Sequence, residues 1–147
     1  ADIVVPAIQQ EGGEVVAVAS RSLSRAHAFA RRWGIPAAVE GYEALLQRVS
    51  EFDAVYMPLP AGPRQHWAEA FARRGKALLV EKPTALSAEG TRRLARICAE
   101  AGVLCMEGSH WPHTPRSRAL REVIDGTAKV VANFSIAPPA EFFRTDV

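Results

Sequence analysis

The chain has 147 residues, 48% hydrophobic and 23% charged, which allows one ordinary globular domain with a real core. Its 18 basic and 16 acidic residues leave a net charge of +2, too balanced for a nucleic-acid binder. No apolar run approaches the length of a membrane span, and the N-terminus lacks the basic-then-apolar layout of a signal peptide.

The pattern alternates strand and helix. Ile3 to Ile8 is a short apolar stretch interrupted by Pro6, and Glu14 to Ala19 reads as a buried strand. A helix follows with Ala26, Phe29, Ala30 and Trp33 on one face, Ser24 as its N-cap and Gly34 as its stop. Pro36 to Val39 is a short strand, and Tyr42, Leu45, Leu46 and Val49 mark the next amphipathic helix. Asp53 to Met57 is a strand closed by Pro58 and Pro60. Pro63 then opens a helix whose apolar face includes Trp67, Ala70 and Phe71 and which ends at Gly75. Ala77 to Glu81 is an apolar strand, Ser87 caps a helix carrying Leu94, Ile97, Cys98 and Ala101, and Val103 to Met106 is another strand.

Short connections between alternating elements imply an α/β fold with a doubly wound parallel sheet covered on both sides. After Ser109 the character changes. His110 to Pro115 is rigid and irregular, a short helix has Leu120, Val123 and Ile124 on its apolar side, and Lys129 to Ile136 alternates as a half-covered strand. The expected division is residues 1–108 as an incomplete Rossmann-type domain and 109–147 as the start of an α+β C-terminal domain.

Four places carry chemistry. Ser20-Arg21-Ser22 follows the strand ending at Ala19, with Arg25 one helical turn on. In a dinucleotide-binding fold that strand tip meets the adenosine ribose, and an arginine among small hydroxyls suits the 2′-phosphate of NADP better than the free hydroxyl of NAD. The bland alternative is a serine cap beside a solvated arginine. Met57-Pro58-Leu59-Pro60 forms a stiff rim, or merely a helix-entry turn. Val80-Glu81-Lys82-Pro83 brings Lys82 out at the carboxyl end of a strand, where open α/β sheets bind ligands, and Pro83 holds its backbone extended. A turn before the next helix is the plain alternative there. A cis Lys82–Pro83 bond is the expected geometry. Glu107, His110 and His113 have metal-like spacing, but Pro112 and Pro115 argue against the helix it needs, and no metal is expected. Cys98 and Cys105 look like small buried hydrophobes, which fits a reducing, cytoplasmic setting.

One motif is missing. The G-x-G-x-x-G loop that holds a pyrophosphate is absent, since Gly12-Gly13 precedes a strand and has the wrong spacing. By strand order the chain begins partway through the first helix of such a domain. Its first residue is Ala1 and its methionines are Met57 and Met106, which suggests a processed, trimmed or partial chain.

These pieces together resemble the glucose-fructose oxidoreductase and inositol dehydrogenase-like (Gfo/Idh/MocA) family. Val15 to Arg21, Val55 to Pro60 with Trp67-Ala68 and Gly75-Lys76, and Val80-Glu81-Lys82-Pro83 carry the resemblance. Met106-Glu107-Gly108, Trp111, His113, Pro115-Arg116, Phe134-Ser135 and the tail from Phe142 to Asp146 look closest to the plant and algal branch.

The resemblance implies hydride transfer between NADP, or alternatively NAD, and a sugar, cyclitol or related polyol or carbonyl, in a homo-oligomeric parent. It implies that Lys82 contacts the nicotinamide ribose and assists proton transfer. The cofactor is expected against Ser20, Arg21, Ser22, Arg25, Pro58, Leu59, Pro60, Glu81, Lys82 and Pro83. Ala61 and Arg64 stand where such proteins usually carry Asn and His, and the usual catalytic Tyr or His lies past Val147. The isolated chain is therefore expected to be inactive. Without the first strand, the runs Glu14 to Ala19 and Asp53 to Met57 would face each other across a gap, close up and pair, or remain open edges. A competing reading is a non-catalytic relic or interaction module that kept the fold, and a third is NAD-dependent glycoside cleavage.

Overall fold

The structure is a computed structural model and describes residues 3–124. The expectations for Lys129 to Ile136 and for the tail beyond it lie outside those residues. The chain divides between Ser109 and His110 into two compact units.

In the first unit, helix α1 (Val4–Gln10) takes the stretch with Pro6, which is tolerated in a first turn because the N–H it lacks has no intrahelical partner there. Strand β1 (Ala17–Ser20) is followed by α2 (Leu23–Trp33) and β2 (Ala37–Glu40). Ser22, not Ser24, is the N-cap of α2. Its backbone is extended, and its Oγ accepts from the Arg25 N–H at 3.5 Å, which places Leu23 first in the helix. Gly34, at φ 65°, closes α2 in the left-handed region that glycine adopts without a Cβ clash.

The helix expected from Tyr42 is a short α3 (Tyr42–Leu46) followed by a 3-10 turn at Val49–Glu51. Strand β3 (Ala54–Met57), α4 (Ala61–Arg73), β4 (Ala77–Val80), α5 (Ala88–Ala101) and β5 (Cys105–Glu107) complete the unit. Helix α4 begins two residues before Pro63, which sits inside the first turn where its missing N–H costs nothing. Strand β5 starts later than expected: Leu104 lends its carbonyl to the Leu78 N–H but is 72% exposed.

Among the described residues all pairings are parallel, in two separate sheets. One is β1–β2, with Ala17 opposite Ala37 and Ser20 opposite Glu40. The other has the order β3–β4–β5, with β4 central. In a doubly wound order the place between β1 and β3 belongs to one further strand. No described residue occupies it, and β1 and β3 do not pair with each other.

The main core joins Met57, Leu78 and Val80 to Ala68, Phe71 and Ala72 of α4 and Leu94, Ile97 and Cys98 of α5. On β4 this is a strict alternation, with Leu78 and Val80 buried and Ala77 and Leu79 half-buried. All four β1 residues are half-buried. Ala101, expected on the packed face of α5, is exposed.

The second unit shows a 3-10 turn at Trp111–His113 and helix α6 (Pro115–Ile124). Leu120 and Val123, on the apolar side of that helix, are exposed. No helix among the described residues is long and apolar enough to cross a membrane.

Candidate cofactor site at the strand ends

Two groups of residues emerge at the carboxyl ends of the strands. The first surrounds β1. Ser20 ends the strand, and its Oγ accepts from the Ser22 N–H at 3.3 Å. The Ser22 and Ser24 hydroxyls lie 2.9 Å apart. Ser22 thus caps α2 and Ser20 braces the turn, so the local capping role weighed from the sequence is present. Arg21 and Arg25 are both exposed. Val18, Ala19, Ser20, Arg25, Ala26 and Phe29 line an open cleft of about 220 Å³ at this tip. Ser20 and Arg25 are the polar members of that lining, and Arg21 is not part of it.

The sequence reading missed Glu40. Register places it directly opposite Ser20 on β2, and it is exposed. A carboxylate therefore stands one strand away from the predicted ribose site. Only the pairing register reveals it, and register cannot be read from two short strands without their connection.

The second group gathers at the ends of β3, β4 and β5. Lys82 is exposed just beyond β4, and the Lys82–Pro83 peptide is cis, as expected. Glu81 is half-buried, and its N–H reaches the Met57 carbonyl at 3.3 Å. Its carboxylate accepts from the Tyr56 hydroxyl at 3.0 Å through Oε1 and from the Lys82 N–H at 3.3 Å through Oε2. Glu81 is thus a brace for the lysine segment. Burial and the Glu81 carboxylate together push the Tyr56 phenol up to about 12.

On the far side, Glu107 Oε2 accepts from the Thr84 N–H at 2.9 Å and from the Thr84 hydroxyl, and the Gly108 N–H donates to the Val80 carbonyl at 2.7 Å. Glu107, weighed as a metal ligand, instead holds the turn after Pro83. No group of three His, Cys, Asp or Glu side chains gathers among the described residues.

The Pro58-Leu59-Pro60 rim leads into α4, with Pro58 and Pro60 exposed and Leu59 half-buried. Arg64, in the first turn of α4, is only 4% exposed. Its Nε donates to the Leu59 carbonyl at 2.8 Å, and its Nη1 donates to the Glu81 carbonyl at 2.5 Å and to the Pro83 carbonyl. In the sequence this residue figured only as a departure from a family pattern. The residue type carries no hint of burial, since arginine is mostly exposed.

Parallel strands, helical crossovers and a cluster of polar groups at the strand ends define a dinucleotide-binding α/β domain. The family model for oxidoreductases with an NAD-binding Rossmann fold matches residues 4–109, and the chain belongs to this Gfo/Idh/MocA family. It is 40% identical over 149 aligned positions to D-xylose 1-dehydrogenase (NADP(+)) 2 of Haloferax volcanii, covering 97% of this chain and 46% of that enzyme. It is 41% identical over 130 positions to the dTDP-3,4-didehydro-2,6-dideoxy-alpha-D-glucose 3-reductase of Streptomyces violaceoruber, covering 85% and 37%.

Among solved structures, KijD10, a 3-ketoreductase from Actinomadura kijaniata in complex with NADP and TDP-benzene, superposes with a TM-score of 0.75. It is 40% identical over 83% of this chain and 37% of its own. The chain spans less than half the length of each of these relatives.

Proposed function

We propose that these residues form the cofactor-binding core of an NADP-dependent oxidoreductase that interconverts a carbonyl and an alcohol on a sugar, cyclitol or related polyol. The observation that carries this reading is the position of Lys82, held at the tip of the central strand β4 by braces from β3 and β5. The relatives support it: one is named an NADP(+)-dependent xylose dehydrogenase, and another was solved with NADP and a TDP compound. In this reading residues 1–108 bind the cofactor, and 109–147 begin a substrate and oligomerisation domain of a longer, cytoplasmic polypeptide.

Arg21 and Arg25 would hold the 2′-phosphate at the β1 tip, with Ser20 and Ser22 beside it. Pro58, Leu59 and Pro60 would wall the cleft on the β3 side, and Glu81 and Pro83 would frame the lysine. When bound, NADPH supplies the hydride chemistry. Lys82 presents its ammonium group to the substrate oxygen: it donates a proton as a carbonyl becomes an alkoxide, and takes one back in oxidation. Glu81 fixes the lysine backbone and leaves its ammonium free to face the cleft.

The test is turnover by the full-length protein with NADPH and a panel of sugars and keto-sugars, alongside Lys82→Met. The substitution is expected to lower kcat by about 10²–10⁴-fold, the usual range for a positioned proton donor. A protein with no turnover on any sugar, or a Lys82→Met variant with unchanged kcat, contradicts the proposal. A folded, inert protein would favour a relic that kept the domain.

A further inference from the structure

We infer that Arg64 is a positioning residue that sets the aim of Lys82 by clamping the backbone on both sides of it. The inference rests on the proposed role of Lys82. Three backbone carbonyls converge on one guanidinium: Leu59 on the β3 rim, and Glu81 and Pro83, the two residues that flank Lys82. Both Nε and Nη2 reach Leu59, and Nη1 is shared between Glu81 and Pro83. The side chain is turned away from solvent and spends its donors on main-chain oxygens, so it is not available to touch a substrate.

The location makes a purely helix-stabilising role implausible. Arg64 lies in the first turn of α4, its N–H bonded to the Pro60 carbonyl at 3.2 Å. That end of a helix carries partial positive charge, and a cation there is unfavourable. No carboxylate among the described residues lies within ion-pair distance to compensate it. What offsets the burial of this charge is the set of carbonyls, each held by a charge-assisted hydrogen bond.

A planar fork is required for that set. The guanidinium holds several donors in fixed directions and stays ionised, whereas lysine is a point charge on a flexible stem. Glutamine has too few donors to span three carbonyls in three directions. Arg64 therefore ties the β3 rim to the segment 81–83 as one rigid piece. Losing the tie would let the Lys82 backbone drift relative to the rim, and a misplacement of about 1 Å can cost about a hundredfold in rate.

The experiment compares the full-length protein with Arg64→Gln and Arg64→Lys by two readouts. The first is amide hydrogen exchange. In both variants, exchange at Glu81, Lys82 and Thr84 is expected to rise by at least about tenfold, while amides of α5 around Leu94 to Cys98 stay as protected as before. The second is kinetics: kcat is expected to fall by about a hundredfold with NADPH affinity changed less than about threefold. Arg64→Lys, which keeps the charge without the planar fork, is expected not to recover kcat.

Unchanged exchange at 81–84, or a rise that extends equally into α5, would overturn the inference, as would full kinetic rescue by Arg64→Lys. If the unsubstituted protein turns over no sugar, the proposed function fails while the exchange readout still decides whether Arg64 holds the Lys82 segment.

Discussion

The β1–β2 pair and the β3–β4–β5 sheet are made of short parallel strands, yet they finish in different ways. At the β3–β5 end a dense core ties the sheet to α4 and α5, and a chain of side-chain bonds runs from Tyr56 through Glu81 and from Glu107 to Thr84. Glu81, Arg64 and Thr84, around Lys82, are each held by hydrogen bonds to other elements. At the β1 end the strand is half-buried throughout, the hydroxyls bond only to their own turn, and Arg21 and Arg25 are exposed. In the proposed function, one end would frame a reacting group and the other would receive charge. The difference would answer the two demands a dinucleotide makes: precise aim at one end and charge recognition at the other.

The sharpest way to break this comparison is to truncate one apolar side chain at each end. Leu94 is 1% exposed, and Leu94→Ala is expected to cost about 2–5 kcal/mol, as for other well-packed leucines. Val18→Ala, on half-buried β1, is expected to cost about 1 kcal/mol or less. Urea unfolding of the two variants checks this, and equal losses would mean that the two ends are equally packed.

Next in size is the Tyr56–Glu81 bond. Tyr56→Phe is expected to lose about 1.5–3 kcal/mol, the usual range for a hydrogen bond to a charged group. It also carries a pH signature. The folded chain keeps the phenol protonated up to about 12, whereas an unfolded tyrosine loses its proton near 10. Between these values the folded state binds the extra proton, so stability falls as pH rises through that window. Tyr56→Phe should remove that part of the slope, and an unchanged slope would mean that the phenol is not held there.

A smaller effect concerns Cys105. Burial first, and then the neighbouring Cys98 thiol, push its thiol up to about 11. Thiol labelling at pH 8 is expected to be more than about tenfold slower in the folded chain than in urea, because the thiolate is the reactive form. Equal rates would show that β5 is open at that residue.

Much of this architecture was legible before the structure. Period and punctuation located α2, α4, α5 and the central strand, because Gly34 and Gly102 end their helices at φ 65° and the apolar spacing is regular. The stop of one element and the cap of the next were harder. Ser22 and Ser24 are chemically equal candidates, and backbone geometry alone selects Ser22. Leu120, Val123 and Ala101 show the limit of periodicity, which finds an apolar face without saying that anything lies against it.

At the site, Lys82 stood out because it follows a buried strand at the end where open α/β sheets bind ligands, with a proline directly after it. Arg64, Glu40 and the bracing role of Glu107 were not recognised. Each depends on a contact between residues distant in the chain, 19 positions from Arg64 to Pro83 and 23 from Thr84 to Glu107.

The central claim is that the β1 end recognises charge, and cofactor discrimination tests it most directly. NADPH and NADH are titrated against the full-length protein and against Arg21→Ala, with Glu40→Gln as a control for the carboxylate opposite Ser20. The account predicts that NADPH binds more tightly than NADH and that Arg21→Ala narrows the ratio by about ten- to a hundredfold, the equivalent of one charge-assisted contact. It predicts that Glu40→Gln leaves NADPH binding intact. Equal affinities for the two cofactors, or a ratio that Arg21→Ala does not move, would contradict it.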